Sequence, residues 1–256
     1  MIEIAIALGV IGFALVAIIG VLPVGLNVQR ESHQDTIVGQ DGAFFLEAIR
    51  NGGPALGSGT STSLDFLTNY VEQIKITSFN PVNNTTTTNI YTTTNFTNGA
   101  MILGLLSTPE FHPLYGAGVM NSVTARIRGL TGAATEQSGS NAVTAFKYYM
   151  NVEIVPFNSI SFDSTDTNFA DYNPTNNPAG YAARFERVLE TPYLVHNLYE
   201  LRLKFSWPIR PNGTAGQNRQ AYRSLVSAHL LTNINNNMTN WFFQPNIYST
   251  NLVIGL

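Results

Sequence analysis

Residues 1–30 read MIEIAIALGVIGFALVAIIGVLPVGLNVQR, and this stretch decides the architecture that the sequence predicts. Between Glu3 and Arg30 no side chain carries a charge, and from Ile4 to Leu22 all 19 residues are apolar or glycine. As an α-helix this run is about 28 Å long, which matches the roughly 30 Å hydrocarbon core of a bilayer. The stretch therefore predicts a helix that can cross a membrane.

Two other interpretations of this segment fit less well. A cleaved secretory signal carries a basic region before its apolar run, whereas the only side-chain charge before this run is acidic Glu3. A buried core helix is disfavoured by the length of the run and by its place at the N-terminus. A buried carboxylate without a partner costs several kcal/mol. Because no lysine or arginine lies within helical reach of Glu3, we expect its cation to come from a neighbouring molecule or a free N-terminal amine.

The apolar stretch EIAIALGVIGFALVAIIGVLPVG, followed by the amphipathic continuation NVQRESHQDTIVGQDGAFFLEAIR, resembles the N-terminal helix of the type IV pilin and pseudopilin family. In that family a prepilin peptidase removes a short leader, and the new N-terminal residue is methylated. Glu3 has two residues before it here, whereas the family places four, and its spacing of 20 residues to Pro23 is longer than in most major pilins. The resemblance implies that the assembly residues are Glu3, Pro23, Gly9, Gly12 and Gly20.

The function that this resemblance implies is a structural subunit of an extracellular type IV pilus-like filament. Its expected partners are identical subunits in a helical polymer, the inner membrane before assembly, and the prepilin peptidase with its assembly machinery. Two alternatives stay open: a minor pseudopilin of a secretion or DNA-uptake machine, and a membrane-anchored adhesive domain that does not polymerise.

Pro23 predicts an interruption of the helix. It has no N–H for the carbonyl of Ile19, and Gly20 and Gly25 are poor helix formers, which together cost on the order of 3–5 kcal/mol. We expect a kink or an unwound turn between residues 18 and 26. The loop-forming run NGGPALGSGTSTS at 51–63 ends the helix.

The chain beyond this loop predicts a β-rich antiparallel head, so the fold class is α+β, with a stalk at 1–52 and a head at 53–256. Two stretches alternate apolar and polar residues with period 2, at 146–154 and 201–207. Further strand candidates lie at 70–79, 123–129, 181–190 and 222–231, with a turn at 211–213 and a short helix at 64–72. Leu201, Leu203, Phe205 and Trp207 should share one buried face with Tyr148, Met150 and their alternating neighbours, and Arg202 and Lys204 should be exposed.

The chain is rich in uncharged polar residues and poor in charged ones. Charged residues make up 11% of the chain, where about 25% is typical, whereas 27 Asn and 26 Thr fill about a fifth of its 256 positions. Residues 77–98 hold 9 Thr and 6 Asn without a charge, which predicts an exposed hairpin or edge strand on the outer surface of the head. Candidate glycosylation sequons lie at Asn83, Asn84, Asn95, Asn212 and Asn237.

Signals for catalysis, cofactors and nucleic acid are weak in this sequence. A net charge of −3 lacks the basic excess of a nucleic-acid binder, and zero cysteines exclude disulfides and thiolate chemistry. The four histidines stand in no paired metal-binding spacing, so we expect neither an enzyme nor a cofactor. Asp163, Asp166 and Asp171 have oxygen ligands that suit Ca²⁺, yet they lack the EF-hand spacing, which favours a solvated loop.

Overall fold

A computed structural model describes residues 2–52, 64–80, 83–110, 119–130, 146–156, 197–210, 212–235 and 238–244. It consists of a long N-terminal helix and an antiparallel β-rich head, so the predicted α+β fold class is confirmed. The helix α1 spans Ile2–Arg50, and its 49 residues make it about 73 Å long.

Helix α1 is continuous through Pro23, so the unwound turn that was one predicted form of the break between residues 18 and 26 does not occur. A proline inside a helix removes one backbone hydrogen bond and crowds one preceding carbonyl. The hydrogen bonds of the neighbouring turns still form, so the loss at Pro23 stays local. Gly20 and Gly25 are likewise accommodated inside the helix.

In the described part of the chain six strands form one antiparallel sheet in the order β2-β1-β3-β4-β5-β6. A separate two-stranded hairpin pairs β7 with β8. Two short helices, α2 (Leu67–Tyr70) and α3 (Gly99–Leu106), flank the first two strands. The strands are β1 (Val71–Asn80), β2 (Thr85–Thr92), β3 (Met120–Arg128), β4 (Lys147–Pro156), β5 (Leu198–Ile209), β6 (Ala215–Ser227), β7 (His229–Asn235) and β8 (Met238–Gln244).

The predicted register of the two central strands is confirmed. Met150 lies opposite Phe205, and Val152 lies opposite Leu203, so both alternating sets share one buried face. Trp207 is only 2% exposed. On the other face the side chain of Lys204 is half exposed, whereas that of Arg202 is about one-third exposed because it lies against Glu200.

The C-terminal half of α1 covers the inner face of the sheet. Its buried positions recur every three or four residues, the spacing of an apolar helix stripe. They pack into the same core as the strands, α3 and the β7–β8 hairpin. The buried α1 residues are Gln34, Ile37, Val38, Asp41, Gly42, Phe45 and Ile49.

Several sequence-based boundaries differ from the structure. The predicted helix at 64–72 is only α2, because the chain enters β1 at Val71. The candidate strand 222–231 is divided at Ala228, where β6 ends and β7 begins. Of the predicted turn at 211–213, residues 212 and 213 lie between β5 and β6, with Gly213 at φ +78°, and residue 211 lies outside the described residues. The candidate at 181–190 lies outside the described residues.

Helix α3 was not predicted from the sequence. Its residues, GAMILGLL, are all buried, and a run of eight apolar residues has no period by which a helix is distinguished from a strand. The local signal is its N-cap, since the side chain of Asn98 accepts a hydrogen bond from Met101 N at 2.8 Å.

Candidate functional site

The N-terminal half of α1 is the most unusual surface of the molecule. Every residue from 2 to 33 is exposed. Sixteen large apolar side chains from Ile2 to Val28 are 54–80% exposed. The helix is long and apolar enough to cross a membrane, with a mean hydropathy of 2.9 over its most apolar window and none of that window buried by the chain itself. The head therefore leaves this half of α1 available to a membrane or to other helices.

Glu3 lies in the first turn of α1 and is exposed. None of the ion pairs between described residues involves it. A carboxylate in the first helical turn interacts favourably with the positive end of the helix dipole. In an apolar surrounding Glu3 would need a cation from outside the part of the chain that the structure describes.

The small residues that the resemblance singles out lie along this exposed half. A methyl group built on Gly9, Gly12 or Gly20 meets no heavy atom within 4 Å beyond its chain neighbours and its own helix backbone. Pro23 lies in the same exposed stretch. Each glycine opens a shallow gap in the apolar surface where a second backbone can approach closely, as in helix pairs packed through small residues.

The C-terminal half of α1 is joined to the head by a buried carboxylate. Asp41 is fully buried, and its Oδ2 accepts hydrogen bonds from Tyr148 Oη and from Leu130 N, each at 2.9 Å. Burial, together with the adjacent Asp41 carboxylate, raises the pKa of Tyr148 well above its usual value. These bonds connect α1 to β4 and to the end of β3, so the helix and the sheet are held in one orientation.

A close approach of α1 to β6 strengthens this connection. The ring of Tyr222 lies against Gly42, where a Cβ would come within 2.4 Å of the ring. Phe205 also packs edge-on against that ring, with centroids 5.7 Å apart. Only glycine at position 42 leaves room for the tyrosine between the helix and the sheet.

The outer face of the sheet is polar and carries paired charges. Glu72 meets three cations, with Lys147 Nζ at 2.7 Å, Arg126 Nε at 2.8 Å and Arg128 Nε at 3.7 Å. Glu153 pairs with Lys204 at 2.5 Å. Hydrogen bonding to Arg202 lowers the pKa of Glu200. Each of these three carboxylates on the outer face therefore meets at least one cation.

Four of the five candidate sequons lie in described turns and are exposed. Asn83 and Asn84 occupy the β1–β2 turn, where Asn84 has a φ of +49°. Asn95 accepts a bond from Thr92 N at 2.9 Å, and Asn212 accepts one from Thr214 Oγ1 at 2.7 Å. The fifth, Asn237, lies outside the described residues.

The candidate metal ligands Asp163, Asp166 and Asp171 also lie outside the described residues. Within the described part of the chain, no group of three or more histidine or carboxylate side chains could hold a metal ion.

Sequence reasoning missed the Asp41–Tyr148 connection. The available signal was a single acidic residue at Asp41 within the apolar stripe that Val38 and Phe45 define on α1. Its partner, Tyr148, lies 107 residues further along the chain, and no local pattern relates the two.

Comparisons of this chain with protein-family models, with curated proteins and with solved structures give no match.

Proposed function

We propose that this chain is a structural subunit of an extracellular type IV pilus-like filament, in which the apolar halves of α1 bundle at the centre and the heads lie outside. The single observation that carries the proposal is the exposed apolar surface from Ile2 to Val28. Before assembly the same segment would anchor the subunit in the inner membrane, which its length and hydropathy allow. A prepilin peptidase and an assembly machinery would be required partners.

The energy of this surface supports burial by a partner. Burying one large aliphatic or aromatic side chain is worth roughly 1.5–3 kcal/mol. Burying all sixteen such side chains would therefore be favourable by on the order of 20–50 kcal/mol of transfer free energy. Lipid and a helix bundle both recover this energy.

Glu3 distinguishes a helix bundle from simple anchoring. A lipid anchor can leave this carboxylate at the headgroup boundary without a partner, whereas a bundle can place it beside the N-terminal amine of a neighbouring chain. Such a pair favours one axial register between helices, because an uncompensated buried charge costs several kcal/mol. The gaps at Gly9 and Gly12 would let those helices pack closely.

The neutral surface of the head also suits an array. Repeated like charges repel when many copies stand side by side, and only 11% of the residues in this chain are charged. Its exposed β1–β2 turn and β2 are rich in threonine and asparagine. Those side chains can make hydrogen bonds or carry glycans at the filament surface.

The test is replacement of Glu3 by alanine in cells that display the protein. Sheared surface filaments would be examined by electron microscopy, and their main band identified by mass spectrometry. We expect Glu3→Ala to insert into the inner membrane normally and to lose filaments. Glu31→Ala is the matched control, since it changes an exposed glutamate of the same helix outside the apolar segment.

The alternatives give different results in this experiment. A membrane-anchored domain that does not polymerise gives no filaments from the unaltered chain. A minor pseudopilin appears in filaments only as a trace component beside another main subunit. Normal filaments from Glu3→Ala, with this protein as their main subunit, would remove the assembly role of that carboxylate.

A further inference from the structure

Strand β2 forms one edge of the six-stranded sheet and is unusually unprotected. Its sequence, TTTTNIYT, holds no charge and no proline, and its first six residues are exposed. Among the described residues it pairs only with β1. Natural proteins usually guard such an edge with lysine, proline or a bulge, because unpaired backbone N–H and C=O groups recruit further strands. Another β-strand would form hydrogen bonds with these unpaired backbone groups.

Among the described strands β6 forms the opposite edge of the sheet, and it runs antiparallel to β2. All five pairings between neighbouring strands of the sheet are antiparallel. In a sheet of six strands the first and last therefore point in opposite directions. A second copy of the head, placed beside the first in the same orientation, would bring its β2 next to β6 and continue the antiparallel order.

The two edges also carry matching apolar side chains on one face. Ile90 on β2 is 52% exposed and Leu225 on β6 is 53% exposed, more than any other large apolar side chain described on the sheet. From Ile90 the paired positions cross the outer face of the sheet through Lys75, Thr124, Asn151, Lys204 and Ala221. Leu225 is four residues beyond Ala221 on the same strand, so it shares that face with Ile90.

Charge favours β2 over a second β6 as the partner. Strand β6 presents exposed Arg219 and Arg223 on its outer face. Two such strands side by side would bring like charges together, which destabilises cross-strand pairs. The uncharged β2 avoids that repulsion.

We propose that β2 of one subunit pairs antiparallel with β6 of a neighbouring copy, with Ile90 and Leu225 in contact across the junction. The inference rests on the proposed filament and adds a specific contact between heads. A contact between two different surfaces repeats without closing into a pair, as an open helical polymer requires. A β2–β2 contact would instead use the same surface twice and stop at a dimer.

Engineered cysteines test this contact, because the natural chain has none. Within one chain Ile90 and Leu225 lie on strands five spacings apart, about 24 Å, well beyond disulfide reach. Filaments of the Ile90→Cys, Leu225→Cys double variant would be oxidised mildly and run on a non-reducing gel. We expect a ladder at multiples of 27.9 kDa that collapses to one band on reduction.

Three matched variants identify what the cysteines meet. Ile90→Cys with Met120→Cys should give no ladder, since Met120 is 40% exposed on the same face but lies on the interior strand β3. The Ile90→Cys, Arg223→Cys double variant tests a register shifted by two residues, in which Ile90 lies opposite Arg223 instead of Leu225. Dimers from Ile90→Cys alone would show β2–β2 pairing. Disulfides between the engineered cysteine of this variant and a different protein added to the sample would show that an extended segment of that protein pairs with β2. Either result overturns the proposal.

A charge on the edge gives an independent measurement that needs no cross-link. Ile90→Lys should make filaments dissociate at a lower temperature than Met120→Lys, with the folding of both monomers checked by circular dichroism. Equal filament stability, or filaments without a ladder from either register pair, would overturn the head contact while leaving the filament proposal intact. Absence of filaments from the unaltered chain would instead refute the proposed function, and this contact with it.

Discussion

Replacing Asp41 by alanine tests whether helix and head are joined through the buried carboxylate. The change removes the acceptor that the buried donor Tyr148 Oη and the part-buried donor Leu130 N each now meet at 2.9 Å. A buried donor that loses its partner costs about 1–3 kcal/mol and a part-buried donor less, so these two bonds predict a loss of roughly 2–5 kcal/mol. Domains are commonly stable by only about 5–15 kcal/mol, so the loss would be a large part of the total.

The assay is thermal unfolding of the full chain in detergent micelles, followed by near-UV circular dichroism of the aromatic side chains. For a chain of this size the expected loss corresponds to a fall in Tm on the order of 5–20 °C. Asp41→Asn should cost less, because its side-chain oxygen can still accept a bond. Asp35→Ala is the control, since it removes an exposed carboxylate from the same helix.

A double-mutant cycle makes the test specific to the contact. Tyr148→Phe should destabilise the unaltered protein more than it destabilises Asp41→Ala, with a coupling of about 0.5–3 kcal/mol. Additive effects, or an Asp41→Ala variant as stable as Asp35→Ala, would refute the reasoning that this carboxylate holds the helix on the sheet.

Two further predictions concern the same core. Gly42→Ala should destabilise the head by about 1–3 kcal/mol, because the new methyl group would overlap the ring of Tyr222. Gly39→Ala would place its methyl group 3.6 Å from the Tyr222 hydroxyl, so it should stabilise the head by up to about 1 kcal/mol through helix propensity. A similar Tm for the two variants would contradict this. Burial raises the pKa of Tyr199 to about 12, so above pH 10 the unfolded chain releases a proton that the folded chain retains, and stability should fall by up to about 2.7 kcal/mol as the pH rises to 12. Tyr199→Phe should reduce that fall. The measurement is the free energy of unfolding of both proteins at pH 8 and at pH 11.5. An equal loss of stability between these pH values in the two proteins would disprove the prediction.

The sequence predicts those features that repeat locally. Alternation at 146–154 and 201–207 predicted two strands and their buried faces, because period 2 places side chains on one side of a sheet wherever the strand lies. The uncharged run at 77–98 predicted an exposed hairpin or edge, and β2 is that edge.

Other features depend on tertiary context and could not be predicted in this way. Propensity at Pro23 predicted a break, yet one lost hydrogen bond does not outweigh the continuous apolar helix on either side. Helix α3 is short and apolar throughout, so only its packing distinguishes it from a strand. The contact between Asp41 and Tyr148 joins positions 107 residues apart.

The two halves of α1 have opposite requirements, and their continuity joins assembly to the geometry of the head. The first half needs partners to bury its apolar surface, while the second half is fixed on the sheet by Phe45, Asp41 and the Gly42–Tyr222 contact. Because no flexible linker separates the halves, the rotation of α1 in a bundle determines where the edges β2 and β6 point. A register set at Glu3 would then place every head in the same orientation. Loosening the Asp41 connection should therefore weaken contacts between heads even where the apolar helices still bundle.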